Sequence, residues 1–115
     1  MWQRNMLSVK QRFEDVFEFE GVTIRQSLDT EPPSCVYDAA IIMAKYLSGR
    51  VLSDMANATL LELGAGCGFT GIYLSKFVGK AILTDVPSVV PLVQTNIERN
   101  GCADKLQATS LFWGD

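Results

Sequence analysis

The sequence predicts an α/β fold in which a parallel sheet follows an N-terminal β-hairpin and a helix. Three observations lead to this prediction: an early segment in which apolar and polar residues alternate, a later repeat of short apolar strands and amphipathic helices, and short loops between them. Strands that alternate with helices through short loops pair in parallel through right-handed crossovers. The order strand–helix–strand–helix–strand corresponds to the N-terminal, three-strand half of a Rossmann-like doubly wound sheet.

The predicted hairpin covers Phe13 to Gln26. Apolar and polar residues alternate strictly over Phe17–Glu20, before Gly21, and over Val22–Arg25, after it. The apolar positions are Phe17, Phe19, Val22 and Ile24. A period of two around a central glycine indicates two antiparallel strands with one buried face. We expect a proline-containing loop, Asp29 to Ser34, to follow the hairpin.

The first helix is predicted from residues that recur with helical spacing after this loop. The apolar residues at i, i+4, i+7, i+8 and i+11 are Val36, Ala40, Met43, Ala44 and Leu47. We expect Ser34 to be the N-cap, Asp38 to lie in the first turn and Gly49 to end the helix.

The repeating strand–helix unit occupies the second half of the chain. Its three predicted strands are Thr59–Leu63, Ala81–Asp85 and Leu106–Phe112. The first connecting helix is expected from about Thr70 to Val78, closed by Gly79. The residues on one face of the second connecting helix are Val89, Leu92, Val93 and Ile97. Pro87 and Pro91 are confined to the entry of that helix, and Asn100-Gly101 stops it.

The composition excludes several classes of chemistry. The 115 residues include no histidine, so this sequence offers no Ser-His-Asp or Cys-His catalytic group and no histidine metal ligand. Hydrophobic residues make up 48% of the sequence, which is ordinary for a globular domain and too high for a disordered chain. We expect no metal cofactor.

Charge, hydropathy and cysteine content indicate the surroundings of the protein. Ten basic and 13 acidic residues give a net charge of −3, which argues against nucleic acid as a partner. The longest apolar run, Ala39 to Ala44, is much shorter than the ~20 residues that cross a bilayer, so no membrane association is expected. Met1 to Lys10 lacks the apolar core of a signal peptide. Cys35, Cys67 and Cys102 lack CxxC spacing and are predicted to be reduced, buried thiols of a cytoplasmic protein, with the nucleus as a second compartment.

The most informative segment joins the first parallel strand to the helix that follows it. It reads Leu61-Glu-Leu-Gly-Ala-Gly-Cys-Gly-Phe-Thr-Gly71. Glycines at alternate positions let the backbone turn sharply and approach a ligand with no Cβ atom in between. The amides that begin the following helix then point toward a polar or anionic group. For the glycines considered by themselves, a purely structural turn is the alternative.

Two carboxylates near this segment favour a ligand site. Asp85 ends the second strand about 20 residues past the glycine turn, where a carboxylate can accept both hydroxyls of an adenosine ribose. The alternative for Asp85 is the N-cap of the next helix. Glu62 lies inside an apolar strand, where it needs a partner such as a cationic ligand group or the loop amides. The alternative for Glu62 is a half-exposed strand position.

A nicotinamide-dinucleotide site is the main competing interpretation of the glycines. Gly66-Cys-Gly-Phe-Thr-Gly71 satisfies the GxGxxG pattern, and Asp85 lies 19 residues after Gly66. That fingerprint should begin immediately after the strand, at Gly64, and its third glycine would then fall on Phe69. Glu62 also suits a cationic cofactor better than a dianionic pyrophosphate.

Taken together, these motifs resemble a known family. The residues that carry the resemblance are Leu61-Glu-Leu-Gly-Ala-Gly-Cys-Gly68, Leu83-Thr-Asp-Val-Pro87, Asn96, Asn100 and Phe112-Trp-Gly-Asp115. They look like a class I, seven-β-strand, S-adenosylmethionine-dependent methyltransferase, and more narrowly resemble the methyltransferase-16 family of protein-lysine methyltransferases. The predicted hairpin and the helix opening Val36-Tyr-Asp-Ala-Ala40 match that family's N-terminal region. The resemblance therefore extends from about Phe13 to Asp115.

The resemblance implies S-adenosyl-L-methionine as the cofactor and a protein lysine side chain as the methyl acceptor. The cofactor contacts that it implies are Tyr37, Glu62, Gly64, Ala65, Gly66, Asp85 and Trp113. Asp85 would hold the ribose hydroxyls, Glu62 would support the loop near the methionine end, and Trp113 would lie beside the adenine. A core or edge aromatic is the alternative for Trp113. The family usually has tryptophan at the position of Tyr37, which makes Tyr37 the weaker aromatic contact, and no catalytic residue is assigned.

The same resemblance predicts that the chain is an N-terminal fragment or short form of a methyltransferase. Residues 1–12 would be an N-terminal segment, and residues 13–115 a partial cofactor-binding domain that lacks the four C-terminal strands and the lysine pocket of the family. The first parallel strand would then form an exposed sheet edge. If the chain ends at Asp115, we expect no methyl transfer by it alone. The alternatives are a non-catalytic module that binds the cofactor or a partner, and an NAD-dependent oxidoreductase half-domain.

Overall fold

The computed structural model of the protein describes residues 15–29, 33–50 and 55–114. The elements in chain order are β1 (Val16–Phe19), β2 (Val22–Arg25), α1 (Asp38–Arg50), β3 (Thr59–Leu63), α2 (Phe69–Leu74), β4 (Lys80–Asp85), α3 (Val90–Arg99) and β5 (Leu106–Ser110). An antiparallel hairpin and a helix precede a three-stranded parallel sheet. This arrangement confirms the predicted α/β class.

Strands β1 and β2 form the predicted antiparallel hairpin, with Phe17 opposite Ile24. Both side chains are fully buried, and the ring of Phe17 lies 6.0 Å from that of Phe69 in an edge-to-face contact. Glu20 and Gly21 form the two-residue turn with φ values of 47° and 85°. This left-handed conformation matches the twist of the strands in a tight hairpin.

Strands β3, β4 and β5 pair in parallel, with β4 in the middle. A Cβ atom on Gly68 would lie within 4 Å of Ile72 of α2, Val93 of α3 and Leu83 of β4, so both helices pack on the face of the sheet that carries Leu83. The opposite face carries Leu61 and Leu63, whose side chains are 58% and 55% exposed. Within the described residues, the strand order places β3 at one edge of the sheet, as expected.

Helix α2 approaches the sheet closely because residue 71 is a glycine. A Cβ atom at this position would overlap Cδ2 of Leu83 and would lie 2.9 Å from Oε1 of Glu62. The Gly71 amide instead donates a hydrogen bond of 3.1 Å to Oε1 of Glu62. Glycine at this position therefore lets α2 contact both β3 and β4.

The segment Pro33–Tyr37, here called the strap, leads from the hairpin to α1. The backbones of Ser27 and Ser34 exchange two hydrogen bonds of 2.9 and 2.8 Å. Oε1 of the buried Gln26 accepts a hydrogen bond of 2.8 Å from the amide of Val36. The prediction of Ser34 as a helix N-cap is wrong, because Ser34 pairs with another extended segment and α1 begins only after the strap.

The buried face of α1 also differs from the prediction. Ile41 and Ala44 are fully buried, whereas Met43 is half exposed. Ala40 and Leu47 pack against the core as predicted, so the prediction is wrong only in placing Met43 on the buried face and in omitting Ile41. The helix ends at Arg50, one residue past the predicted end.

Two further boundaries in the parallel unit need correction. Helix α2 ends at Leu74 rather than Val78. Beyond it the chain forms short turns, in which a backbone amide bonds the carbonyl three residues earlier instead of four. Strand β5 ends at Ser110 rather than Phe112, because its partner β4 ends at Asp85, opposite Ser110. The predicted hairpin start at Phe13 lies outside the described residues. In the described part of the chain, each helix is too short or too polar to cross a membrane.

Two asparagines, Asn96 in α3 and Asn100 at its C-cap, hold the hairpin against the rest of the fold. Nδ2 of the fully buried Asn96 donates to the carbonyls of Arg25, at 3.0 Å, and Cys67, at 2.7 Å. Its Oδ1 accepts from the amide of Arg25 at 2.7 Å. One turn later, Asn100 accepts from the amide of Thr23 at 3.0 Å and donates to its carbonyl at 2.8 Å. The two side chains thus satisfy the outer backbone groups of β2, as a neighbouring strand would.

We expect Gly71→Ala to destabilise the fold by about 1–3 kcal/mol, because the added Cβ atom would overpack against Leu83. Gly49→Ala is the matched control, since a Cβ atom at Gly49 meets nothing within 4 Å and should leave stability unchanged or slightly raised. Urea unfolding followed by circular dichroism measures both variants. Adding Leu83→Val to Gly71→Ala should recover part of the loss. Wild-type stability of Gly71→Ala would contradict the need for a close approach.

Candidate functional site

A cavity of about 460 Å³ opens at the carboxyl ends of β3 and β4. The predicted site residues that line it are Tyr37, Gly64, Gly66, Asp85 and Trp113. In parallel α/β sheets, ligands bind at this end of the strands, beside the loops that leave them. The structure therefore gathers most of the predicted site residues around one cavity.

A second cavity, of about 280 Å³, adjoins the first and is lined by the remaining predicted residues, Glu62 and Ala65. Tyr37, Gly64 and Gly66 line both cavities. The site thus has two parts, and both are lined by residues of the strap and of the turn that follows β3.

The turn after β3, here called the glycine loop, comprises residues 64–68. The φ values of Gly64, Gly66 and Gly68 are 68°, 62° and 95°, a left-handed conformation that favours glycine. The amide of Ala65 donates a hydrogen bond of 2.8 Å to the carbonyl of Thr84, so the loop folds over the end of β4. The alternate spacing of the glycines therefore follows from the left-handed backbone at alternate positions.

Asp85 holds the glycine loop in this conformation. Its Oδ2 accepts a hydrogen bond of 2.8 Å from the amide of Gly66, and its Oδ1 accepts one of 2.7 Å from the amide of Val86. The alternative of an N-cap is wrong, since Val89 is the N-cap of α3 and no side chain caps that helix. The partly buried carboxylate lines the larger cavity and keeps lone pairs for further donors.

Glu62 lies in a half-buried strand position and also accepts a hydrogen bond from a backbone amide, that of Gly71. The structure therefore combines the half-exposed strand position with a partner for the carboxylate. Burial raises the pKa of its carboxyl to about 7. The hydrogen bond from Gly71 opposes this shift, and the nearby charge of Asp85 adds to it. A cation placed in the smaller cavity would therefore strongly stabilise the ionised form of this carboxyl.

Two aromatic side chains border the larger cavity. The indole of Trp113 lies against the glycine loop, where a Cβ atom on Gly64 would be 3.3 Å from its Cζ2. Trp113 is 74% exposed, so it is not a core residue. The Tyr37 hydroxyl donates a hydrogen bond of 2.7 Å to the carbonyl of Pro33, which fixes the ring within the strap. Burial and the neighbouring Cys35 raise the pKa of this hydroxyl above its ordinary value.

Further residues that the sequence analysis missed complete the larger cavity. They are Pro33, Ser34, Val86, Val89 and Leu111. Val86 directly follows the end of β4 and Val89 is the N-cap of the next helix, and this position after a parallel strand could have identified both. Pro33 and Ser34 carry no local signal, because their position depends on the pairing of Ser34 with Ser27, after β2.

The three cysteines are free thiols. Cys67 is buried as predicted, and burial raises its pKa to about 12, so it is not poised as a nucleophile. Cys35 and Cys102 are only partly buried, which corrects the prediction for them: one lies in the strap and the other in the turn after α3. Among the residues that the structure describes, no group of three or more acidic, cysteine or histidine side chains could hold a metal ion.

Several known proteins with similar sequences are named as lysine methyltransferases. Residues 17–115 match the methyltransferase-16 family model, described as lysine methyltransferase. EEF1A lysine methyltransferase 3 of Xenopus tropicalis is 35% identical over 80 residues, which cover 69% of this chain and 35% of the relative. Protein-lysine methyltransferase METTL21E of Mus musculus is 30% identical over 106 residues, which cover 85% of this chain and 42% of the relative. The chain therefore spans less than half the length of these relatives.

Solved structures share the fold at lower sequence identity. A SAM-dependent methyltransferase from Agrobacterium tumefaciens superposes with a TM-score of 0.63 at 12% identity, over 87% of this chain and 33% of that one. An O-methyltransferase from Bacillus cereus, solved in complex with SAH, gives a TM-score of 0.54 at 20% identity, over 65% and 34% of the two chains. Because the family model covers nearly the whole sequence, the chain belongs to the lysine methyltransferase family.

Proposed function

We propose that this chain forms the cofactor-binding part of an S-adenosylmethionine-dependent protein-lysine N-methyltransferase. One observation carries the proposal: the glycine loop separates two adjoining cavities, with the carboxylate of Asp85 in the larger and that of Glu62 in the smaller. A nucleoside with a cationic amino-acid tail has the matching distribution of hydroxyl donors and positive charge. Membership of the lysine methyltransferase family supports this assignment.

The larger cavity suits the adenosine part of the cofactor. Asp85 can accept hydrogen bonds from the ribose hydroxyls with the lone pairs that its two backbone partners leave free. Trp113 and Tyr37 offer aromatic faces to a purine, and Val86 and Leu111 add apolar surface. A few polar groups in a mostly apolar cavity are typical of small-molecule sites.

The smaller cavity suits the methionine part. Its ammonium and sulfonium charges would favour the ionised form of Glu62, which is otherwise opposed by burial. Gly64 and Gly66 border both cavities, and a Cβ atom at Gly66 would meet no other atom within 4 Å. The backbone of the loop can therefore lie alongside a ligand that extends from one cavity into the other.

When bound, this cofactor supplies a methyl group on a positively charged sulfur that departs as a neutral thioether. The residues of this chain bind and orient the methyl donor, and the rate gained in this way comes from proximity, orientation and exclusion of water. Such chemistry requires neither histidine nor a thiolate nucleophile, in keeping with the histidine-free sequence and the raised pKa of Cys67. We assign no residue of this chain to the lysine pocket.

For the acceptor we propose a lysine side chain of a protein, because the similar relatives are named as lysine methyltransferases. The net charge of −3 does not favour a nucleic-acid substrate. We propose the cytoplasm as the main compartment and the nucleus as a second one, since free cysteines persist where thiols are kept reduced.

Calorimetry with the 115-residue chain tests the cofactor assignment. We expect S-adenosylhomocysteine to bind, and Asp85→Asn to weaken its affinity at least about tenfold by removing a charged hydrogen-bond acceptor. Asp104→Asn is the matched control, because Asp104 is exposed and precedes β5, away from the cavity. Binding of NAD without binding of S-adenosylhomocysteine would contradict the assignment and favour the oxidoreductase half-domain.

The affinity for S-adenosylhomocysteine should rise between about pH 5 and pH 8. The ligand's ammonium group stays charged in this range, whereas the free Glu62 carboxyl is mostly protonated below its pKa of about 7. Binding below this pKa must release a proton, so the affinity falls by up to about tenfold per pH unit. Glu62→Gln should bind more weakly at high pH and lack this slope. A pH-independent affinity of the wild-type chain would refute the role of Glu62.

The same carboxyl gives a stability prediction for the free chain. Folding raises the pKa of Glu62 from 4.5 to about 7, so the folded state binds more protons than the unfolded state between these values. This contribution to stability therefore decreases as the pH rises through that window and is constant above it. After allowance for partial exposure, Glu62→Gln should be more stable than wild type by about 1–2 kcal/mol at high pH and equally stable near pH 4. Thermal unfolding at both pH values measures the difference, and an equal difference at both would contradict the raised pKa.

A further inference from the structure

We propose that strand β2 sets the spacing between the strap and the glycine loop at the candidate cofactor cavity, with Gln26 and Asn96 as positioning residues. The proposal deepens the proposed function and rests on it, because the cavity is taken to bind the cofactor. Gln26 and Asn96 line neither part of the site. Each acts instead through the backbone of a segment that does line it.

Asn96 connects β2 to the glycine loop. Its Oδ1 and Nδ2 bond the amide and the carbonyl of Arg25 at 2.7 and 3.0 Å, and Nδ2 also bonds the carbonyl of Cys67 at 2.7 Å. Cys67 directly follows Gly66, whose amide is bonded to Asp85. Two consecutive residues of the loop are thus fixed, one by the end of β4 and the other by a side chain that is itself bonded to β2.

Gln26 connects the same strand to the strap. Its side chain is 5% exposed, and its Oε1 accepts the hydrogen bond from the amide of Val36 at 2.8 Å. Val36 is fully buried and directly precedes Tyr37, which lines both cavities. The bonds between the Ser27 and Ser34 backbones hold the start of the strap in the same register.

The two connections start from consecutive residues, Arg25 and Gln26, at the end of β2. The hairpin itself is held in the core by the fully buried side chains of Phe17 and Ile24. Three of the five residues of the glycine loop, in contrast, are glycines, and glycine loses more conformational freedom on ordering than other residues. We therefore infer that the hairpin limits the motion of both segments that border the cavity.

Three variants and a control test this inference in the full chain. Asn96→Asp is isosteric and keeps the acceptor for the Arg25 amide, but replaces the donor to both carbonyls. Gln26→Leu removes the acceptor for the Val36 amide, whereas Gln26→Glu retains an oxygen there. Val78→Ala is the control for lost stability, because Val78 is buried next to Gly79, before the amino end of β4 and remote from the cavity. Affinity for S-adenosylhomocysteine is measured by calorimetry at a temperature where every variant is folded.

We expect the dissociation constant to rise about tenfold in Asn96→Asp and severalfold in Gln26→Leu. Gln26→Glu should remain within about twofold of wild type, and Val78→Ala should be unchanged despite its lower stability. In the ligand-free chain, amide hydrogen exchange should accelerate selectively over residues 64–68 in Asn96→Asp and over 33–37 in Gln26→Leu. The control should show no such selectivity.

The outcomes separate this inference from the proposed function. Unchanged affinities and unselective exchange in Asn96→Asp and Gln26→Leu would overturn the inference, even if the wild-type chain binds S-adenosylhomocysteine. Failure of the wild-type chain to bind would instead overturn the proposed function, and selective exchange in the strap and the loop would still support the positioning role. If Asn96→Asp does not fold, the comparison of Gln26→Leu with Gln26→Glu decides.

Discussion

The hairpin, helix α3 and the glycine loop meet at the side chain of Asn96. This amide is fully buried and is bonded to the backbone of Arg25 and of Cys67. A buried amide stabilises a fold only when its donors and acceptors are paired, because each unpaired group retains the cost of leaving water. The requirement fixes the distance from β2 to α3 and from α3 to the loop. The geometry of the candidate site therefore depends on Asn96, a residue that does not line it.

The polar groups of the site oppose one another before any ligand is bound. Asp85 and Glu62 bring two carboxyl groups to one glycine loop, and burial, together with the nearby charge of Asp85, disfavours the ionised form of Glu62. Backbone amides partly offset this repulsion and burial. The amides of Gly66 and Val86 donate hydrogen bonds to Asp85, and the amide of Gly71 donates one to Glu62. The two carboxyl groups still have free acceptor positions and negative charge, so the site favours a ligand that brings positive charge together with hydroxyl donors.

Patterns of short range predicted most of the fold. Strand β3 was predicted with its exact residues, and the hairpin and the order of strands and helices were confirmed, because period-two and period-3.6 patterns reflect burial on one face of each element. The start of α1 could not be predicted, since the pairing of Ser27 with Ser34 extends the chain where helical spacing continued. All seven residues predicted to contact the cofactor line the two cavities, whereas the positions of Pro33 and Ser34 in the strap depend on contacts that no local pattern encodes.

The bonds between α3 and the hairpin also bear on how the protein is made. Asn96 and Asn100 bond residues that lie 71 and 77 positions earlier in the sequence. A ribosome therefore releases the hairpin long before the residues that satisfy the outer edge of β2 exist, and during that time water must solvate this edge. Closing so long a segment carries an entropic cost that local contacts do not share. The parallel strands can pair as they emerge, but the cavity beside them is completed only after α3 has been synthesised and has docked.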